Sequence, residues 1–389
     1  MHRRAKLTLF AATLLVAACG KQPAKPAAAG PPTVVVRIAH AGPLTGSIAH
    51  QGKDDENGVA LAVMDANAMN LVIGGKRVRF EMMSEDDQAD PKIGTLVAQK
   101  LVDAKVAAVI GHLNSGVSIP ASDIYNRAGI PMISGAATNP MLTERGMKTV
   151  FRTVGRDDEQ GPAIALYIEK QMKARRVAIV DDKTAYGEGI AAEVEKALRA
   201  AKVEVVARER TTDKETDFKA ILTRIKSRNA DVIFHGGMDA TGGPMMKQAQ
   251  ELGVKARFAM GDGACDDEIH ALSSGAAEGM ACSQAGLPRE AASPEFTASF
   301  RKHFGEIRQY APFFYDGAMA VVEAMKRADS TDPAKFTPEL FKVSLKGATG
   351  VVEFDAKGDR RKAEMTIFTV QKGKIVPVAI VRDRSLVPL

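Results

Sequence analysis

From residue 34 onward, short apolar runs alternate with amphipathic helical patterns, and nothing else in the chain restricts the fold as strongly. An apolar run closed by a glycine- or hydroxyl-rich turn reads as a strand buried on both faces, as in a parallel sheet. The helix after it supplies the crossover that parallel pairing requires. The pattern is clearest in residues 109–140, VIGHLNSGVSIPASDIYNRAGIPMISGAATNP. Strands are expected over 107–110 and 130–134. The first ends in a turn carrying Ser115, the second in a turn carrying Thr138. Ligands bind outside the carboxyl ends of parallel strands. Backbone N–H groups at helix starts attract anions there. Two such turns with hydroxyl donors point to a small carboxylate-bearing ligand.

The same alternation extends in both directions. Strands are expected over 34–39 and 78–83, with helices over 54–70 and 89–102. Gly155 marks a change of domain. Beyond it come strands over 176–180, 203–207, 231–234 and 257–260, with helices over 157–172, 217–227 and 240–252 between them. Past Cys282 the chain returns to the first domain through helices over 294–304 and 315–327. Residues 365–371 and 375–381 alternate around Lys372-Gly373, the pattern of a hairpin.

Arg3, Arg4 and Lys6 precede an apolar run, 7–18, that is too short to span a bilayer. This is the pattern of a secretory signal, removed from the mature protein. The run ends in Val16-Ala17-Ala18-Cys19-Gly20, which resembles a bacterial lipobox, so lipid on Cys19 is expected, the alternative being an ordinary signal peptide. Residues 19–33 are rich in Pro, Ala and Gly and read as an extended tether. The remaining body is large for one core, and two domains are expected. In an exported protein Cys265 and Cys282 form an even pair suited to a disulfide, the alternative being two free thiols.

Several functions lose support. The net charge of +6 falls once the basic leader is removed, and basic residues lie among acidic ones without aromatic interleaving, so no nucleic-acid partner is expected. With no Trp and 5 Tyr, a carbohydrate site of stacked rings is disfavoured. The 7 His show no metal-ligand spacing; His112 and His235 read as structural, and no metal or cofactor is expected. A Gly-x-Ser-x-Gly elbow and a phosphate loop are both absent, so enzymatic activity is not expected. The acidic run Glu85-Asp86-Asp87 reads as a solvated loop or a cleft rim.

The chain resembles bacterial periplasmic leucine/isoleucine/valine-binding proteins, the receptors of branched-chain amino-acid ABC importers. The resemblance rests on an ordered set: Gly42-Pro-Leu-Thr-Gly46, Val109-Ile-Gly-His-Leu113, Pro120-Ala-Ser-Asp-Ile-Tyr125, Ala136-Ala-Thr138, Asp158-Glu-Gln-Gly-Pro162, Asp182-Lys183, Tyr186-Gly-Glu-Gly189 and Ala277-Glu-Gly279. It implies an α/β fold of two doubly wound parallel-sheet lobes joined by three crossovers, with the ligand closed between them. One lobe would take residues 34–154 and 284–355, the other 155–283 and 356–389. The resemblance further implies that Ser115 and Thr138 bind a ligand carboxylate, with Ala136 and Tyr186 facing the ligand and Asp262 meeting its ammonium group. Two positions depart from the family pattern, with Gln51 and Met238 where aromatic residues are common, and this alters the wall for the ligand side chain. The implied protein is a monomeric periplasmic receptor, lipid-anchored, that delivers a small amino acid or related carboxylate to a membrane permease. A ligand sensor for a separate signalling partner, or a receptor for an aromatic or keto acid, is the alternative.

Overall fold

The computed structural model describes residues 31–382 and 384–389. The leader, Cys19 and most of the tether lie outside the described residues. Among the described residues no helix is long and apolar enough to cross a membrane.

The first sheet has the spatial order Val72–Ile73, Lys76–Asp86, Thr33–Gly42, Ala108–Gly111, Met132–Ser134, Val150–Arg152. Only the short outer pair is antiparallel. Ala108–Gly111 and Met132–Ser134 are buried at every position, as strands covered on both faces must be. One apolar layer lies on each side of the sheet. The connection after Thr33–Gly42 moves to one side, and the next returns past it to Ala108–Gly111. The chain therefore reverses direction between these two strands, and a crevice opens at their carboxyl ends.

Local chemistry sets the helix boundaries. Asp90 caps Pro91–Asp103 by accepting from the Lys92 and Ile93 N–H groups, and Pro91 fits the first helical position. Ser115–Ala128 ends at Gly129, whose φ of 69° gives the left-handed cap. The helix expected to start at residue 315 begins earlier, as Ala311–Ala328, because Pro312 suits a helix start. The run 85–87 is not a solvated loop. Asp86 accepts from Leu44 N–H and the Thr45 hydroxyl, and Asp87 is buried against His112 Nδ1 at 2.6 Å. His112 Nε2 lies 3.1 Å from the Tyr125 hydroxyl.

The second sheet runs Ser385–Pro388, Lys374–Arg382, Met365–Gln371, Ala281–Gln284, Arg257–Met260, Val232–Gly236, Arg176–Asp181, Glu204–Arg210. From Ala281–Gln284 onward the pairs are parallel. The other three strands pair antiparallel, so the hairpin expected over 365–381 extends the parallel part of this sheet and makes it mixed. The cause is the tight turn at Lys372 and Gly373, with φ of 52° and 76°, which reverses the chain without a crossover helix.

Three chain passages join the lobes, and they converge on Gly155. Its N–H donates to the Ala285 carbonyl at 2.8 Å. A Cβ there would collide with the Met365 side chain and lie 3.0 Å from the Ala363 Cβ. The Asp355–Asp359 turn still packs on the first lobe, where Gly358 accepts from Arg152 N–H. The last passage therefore comes between that turn and Met365. Cys265 and Cys282 are joined in a disulfide, tying the turn after Arg257–Met260 to its neighbouring strand.

Candidate ligand-binding site

The first lobe's face of the cleft is built from two turns held from behind. Ser134 Oγ donates to the His112 carbonyl at 2.6 Å and accepts from the Ala136 and Ala137 N–H groups, which sets the curve of residues 134–137. Arg152, fully buried, donates to the carbonyls of Ala137 at 2.7 Å and Asn139 at 3.0 Å. Its Nε pairs with Asp359 at 2.7 Å. With those carbonyls turned back to Arg152, the backbone around Thr138 is fixed. Ser115 Oγ, 2% exposed, accepts from Asn139 N–H at 3.2 Å and couples the two turns. Thr138 is fully buried and its hydroxyl has no partner.

The second lobe's face centres on Asp262, in the 3-10 turn Asp262–Ala264 that follows Arg257–Met260. Three side chains donate to its carboxylate: Tyr186 at 2.7 Å, Gln160 at 3.0 Å and Tyr310 at 2.5 Å. Tyr310 reaches it from the first lobe, so this contact spans the cleft. Gln309 Nε2 donates to the Asp262 carbonyl at 2.8 Å, and Asn139 Nδ2 reaches the Ala185 carbonyl at 2.6 Å, also across the cleft.

Ser115, Ala136, Tyr186, Met238 and Asp262 line one small cavity of about 20 Å³, together with Leu113, Asn114, Gly263 and Tyr310. Asn114, Tyr186 and Met238 also border a larger hollow at the cleft mouth. Met238 packs against the cores of both lobes. Thr138 is buried and does not line this cavity. Gln51 does not line it either: its amide donates to the Gly263 carbonyl at 3.3 Å, so it props the far wall and contributes no apolar surface.

The site holds acids without cations. Burial raises the Asp262 carboxyl above the ordinary carboxylate range, an effect partly offset by its hydrogen bonds from Tyr310, Tyr186 and Gln160. Asp157, at the start of Asp157–Lys170, is fully buried and both its oxygens lack partners. Burial, then the charge of Asp262, raises it further, partly offset by the hydroxyl of Thr138 beside it, whose carbonyl accepts from Asp157 N–H at 3.0 Å. Among the described residues no Lys or Arg pairs with either carboxylate. Sequence reasoning missed Asp157, Asn114 and Tyr310. Asp157 and Asn114 adjoin quoted motifs and could have been found there. Tyr310 reads as an ordinary residue before a helix and carries no local signal.

Comparison with known proteins agrees with this architecture. The family model for periplasmic binding proteins matches residues 35–374. A Leu/Ile/Val-binding protein homolog of Brucella abortus is 37% identical over 334 residues, covering 85% of this chain and 89% of that protein. A leucine binding protein of Thermotoga maritima superposes with a TM-score of 0.82 at 26% identity, over 90% of this chain and 99% of that one. A Rhodopseudomonas palustris solute binding protein, solved with 4-hydroxybenzoate, shares the fold with a TM-score of 0.78 at 21% identity, over 90% of this chain and 98% of that one. The chain belongs to the periplasmic binding protein family, whose members bind solutes for transport and are not enzymes.

Proposed function

We propose that this protein is the extracytoplasmic receptor of an ABC importer and that it closes its two lobes on a small α-amino acid. The observation that carries the reading is the pairing of opposite needs within one cavity. On one wall stands the Ser115 hydroxyl, which accepts from Asn139 N–H and keeps its own proton to donate, with the buried Thr138 hydroxyl one residue before Asn139 in the chain. On the other, Asp262 is a buried carboxylate with no Lys or Arg partner among the described residues. A zwitterion satisfies both walls, its carboxylate against Ser115 and its ammonium against Asp262, with Ala136 and Tyr186 beside it. An aromatic or keto acid brings only the anion and leaves the buried acid unpaired, which is costly.

Binding draws the lobes together about the passages at Gly155, and the closed form docks on the membrane permease. The relatives named as amino-acid receptors support this ligand class, and the basic leader followed by Cys19 supports export and lipid anchoring. Titration calorimetry of the purified receptor against amino acids, benzoates and keto acids tests the ligand. At least one amino acid is expected to bind with micromolar or tighter affinity, about −8 kcal/mol or beyond. Binding confined to benzoates or keto acids refutes the reading.

A further inference from the structure

A second cluster, at the rim of the closed cleft, lies outside the amino-acid site. His50 is the second residue of Ala49–Ala68 in the first lobe. Asp239 opens Asp239–Glu251 in the second lobe, and Asp266 follows the Asp262–Ala264 turn. One ligand atom of each lies within 4.8 Å of the other two. His50 Nε2 is 2.8 Å from Asp239 Oδ2, across the cleft.

Both carboxylates are buried, Asp239 fully and Asp266 at 1% exposure. The oxygens of Asp266 differ. Oδ1 accepts from Glu268 N–H at 2.8 Å and from Arg308 Nη1 at 3.3 Å. Oδ2 is buried with no partner. A buried carboxylate oxygen left bare is expensive unless something binds it. Arg308 occupies the opposite oxygen and leaves Oδ2 free.

We infer that His50, Asp239 and Asp266 form a divalent-cation site of the zinc class that is complete only when the lobes are closed. One imidazole and two carboxylates, with water as the fourth ligand, are a suitable donor set. Small rotations bring all three groups to the zinc coordination distance of about 2.0–2.2 Å. Because the donors come from both lobes, the ion binds the closed form in preference to the open one and shifts the equilibrium toward it. Metal spacing was not visible in the sequence because His50 and Asp239 lie 189 residues apart. The inference does not depend on which solute the receptor takes.

Zinc chloride is titrated into the tag-free, metal-stripped receptor without amino acid, by calorimetry and small-angle scattering. One saturable site per chain is expected, with a fall in radius of gyration. H50A and D266N each weaken it by about 100-fold or more. H303A, on an exposed helix outside the cluster, leaves it unchanged. His50 sits at the rim, so H50A folds, and circular dichroism checks that both variants do. No saturable binding at micromolar zinc, equal binding in H50A and D266N, or binding without compaction overturns the inference.

Discussion

The two walls of the cleft are built by opposite strategies. The first lobe presents neutral hydroxyl groups at strand-end turns whose N–H groups are tied to Ser134 and Ser115, braced by the buried Arg152. The second presents the Asp262 carboxylate, held by Tyr186, Gln160 and Tyr310 and braced by the Cys265–Cys282 disulfide. The difference is the one that the proposed zwitterion requires. A wall of dipoles needs only fixed geometry to hold an anion. A wall that holds a cation must bury a real charge, and that charge stays costly until the ligand arrives.

This contrast can be broken one wall at a time, beginning with the braces. Arg152→Met leaves Asp359 and the carbonyls of Ala137 and Asn139 without their buried donor. A stability loss of about 3–5 kcal/mol is expected in urea unfolding. Ligand affinity should fall as well, because the first wall loses its shape; intact affinity in the folded variant would show that Arg152 does not position the turn. Reducing the disulfide relaxes the second wall. Its loop of 17 residues is worth about 3 kcal/mol, read as a drop in melting temperature under dithiothreitol.

Next come the groups proposed to face the ligand. Asp262→Asn should weaken amino-acid binding by about 2–4 kcal/mol, since the ammonium group loses a buried charged partner. The wild type carries a pH signature that this variant loses in part. The Asp262 and Asp157 carboxyls are raised above the ordinary 3.8, and only their ionised forms pair with an ammonium group. Affinity should therefore fall as pH drops through their raised values, before ordinary carboxylates protonate. The folded protein, conversely, gains stability as pH falls through the same range, because the folded state holds these protons more tightly than the unfolded one. A flat calorimetric profile across that range would remove both acids from the site. Ser115→Ala is the mildest test, costing about 1 kcal/mol of binding and little stability. A larger loss from Ser115→Ala than from Asp262→Asn would invert the contrast between the walls.

The two walls were unequally legible. Strand-end turns are local, so Ser115 and Thr138 could be singled out from residues 109–140 alone. Asp262 and Tyr186 needed the family resemblance, because a lone Asp in a turn and a Tyr in a first helical turn have ordinary explanations. Tyr310 could not be found: it meets Asp262 from 48 residues away and from the other lobe. Gln51 shows the limit of positional matching. Its position matched an aromatic wall residue, but an amide finds a better partner in the Gly263 carbonyl. The antiparallel half of the second sheet was visible only as an isolated hairpin, since register between distant strands leaves no mark on either one.

The order of strands in that sheet has a further consequence for how the molecule is made. Met365–Gln371 lies between Ala281–Gln284 and Lys374–Arg382, so an interior strand comes from the last part of the chain to be synthesised. The first lobe likewise waits for Ala311–Ala328, which packs on its sheet. Until then each lobe has an open edge or a bare apolar face, and neither can complete its core.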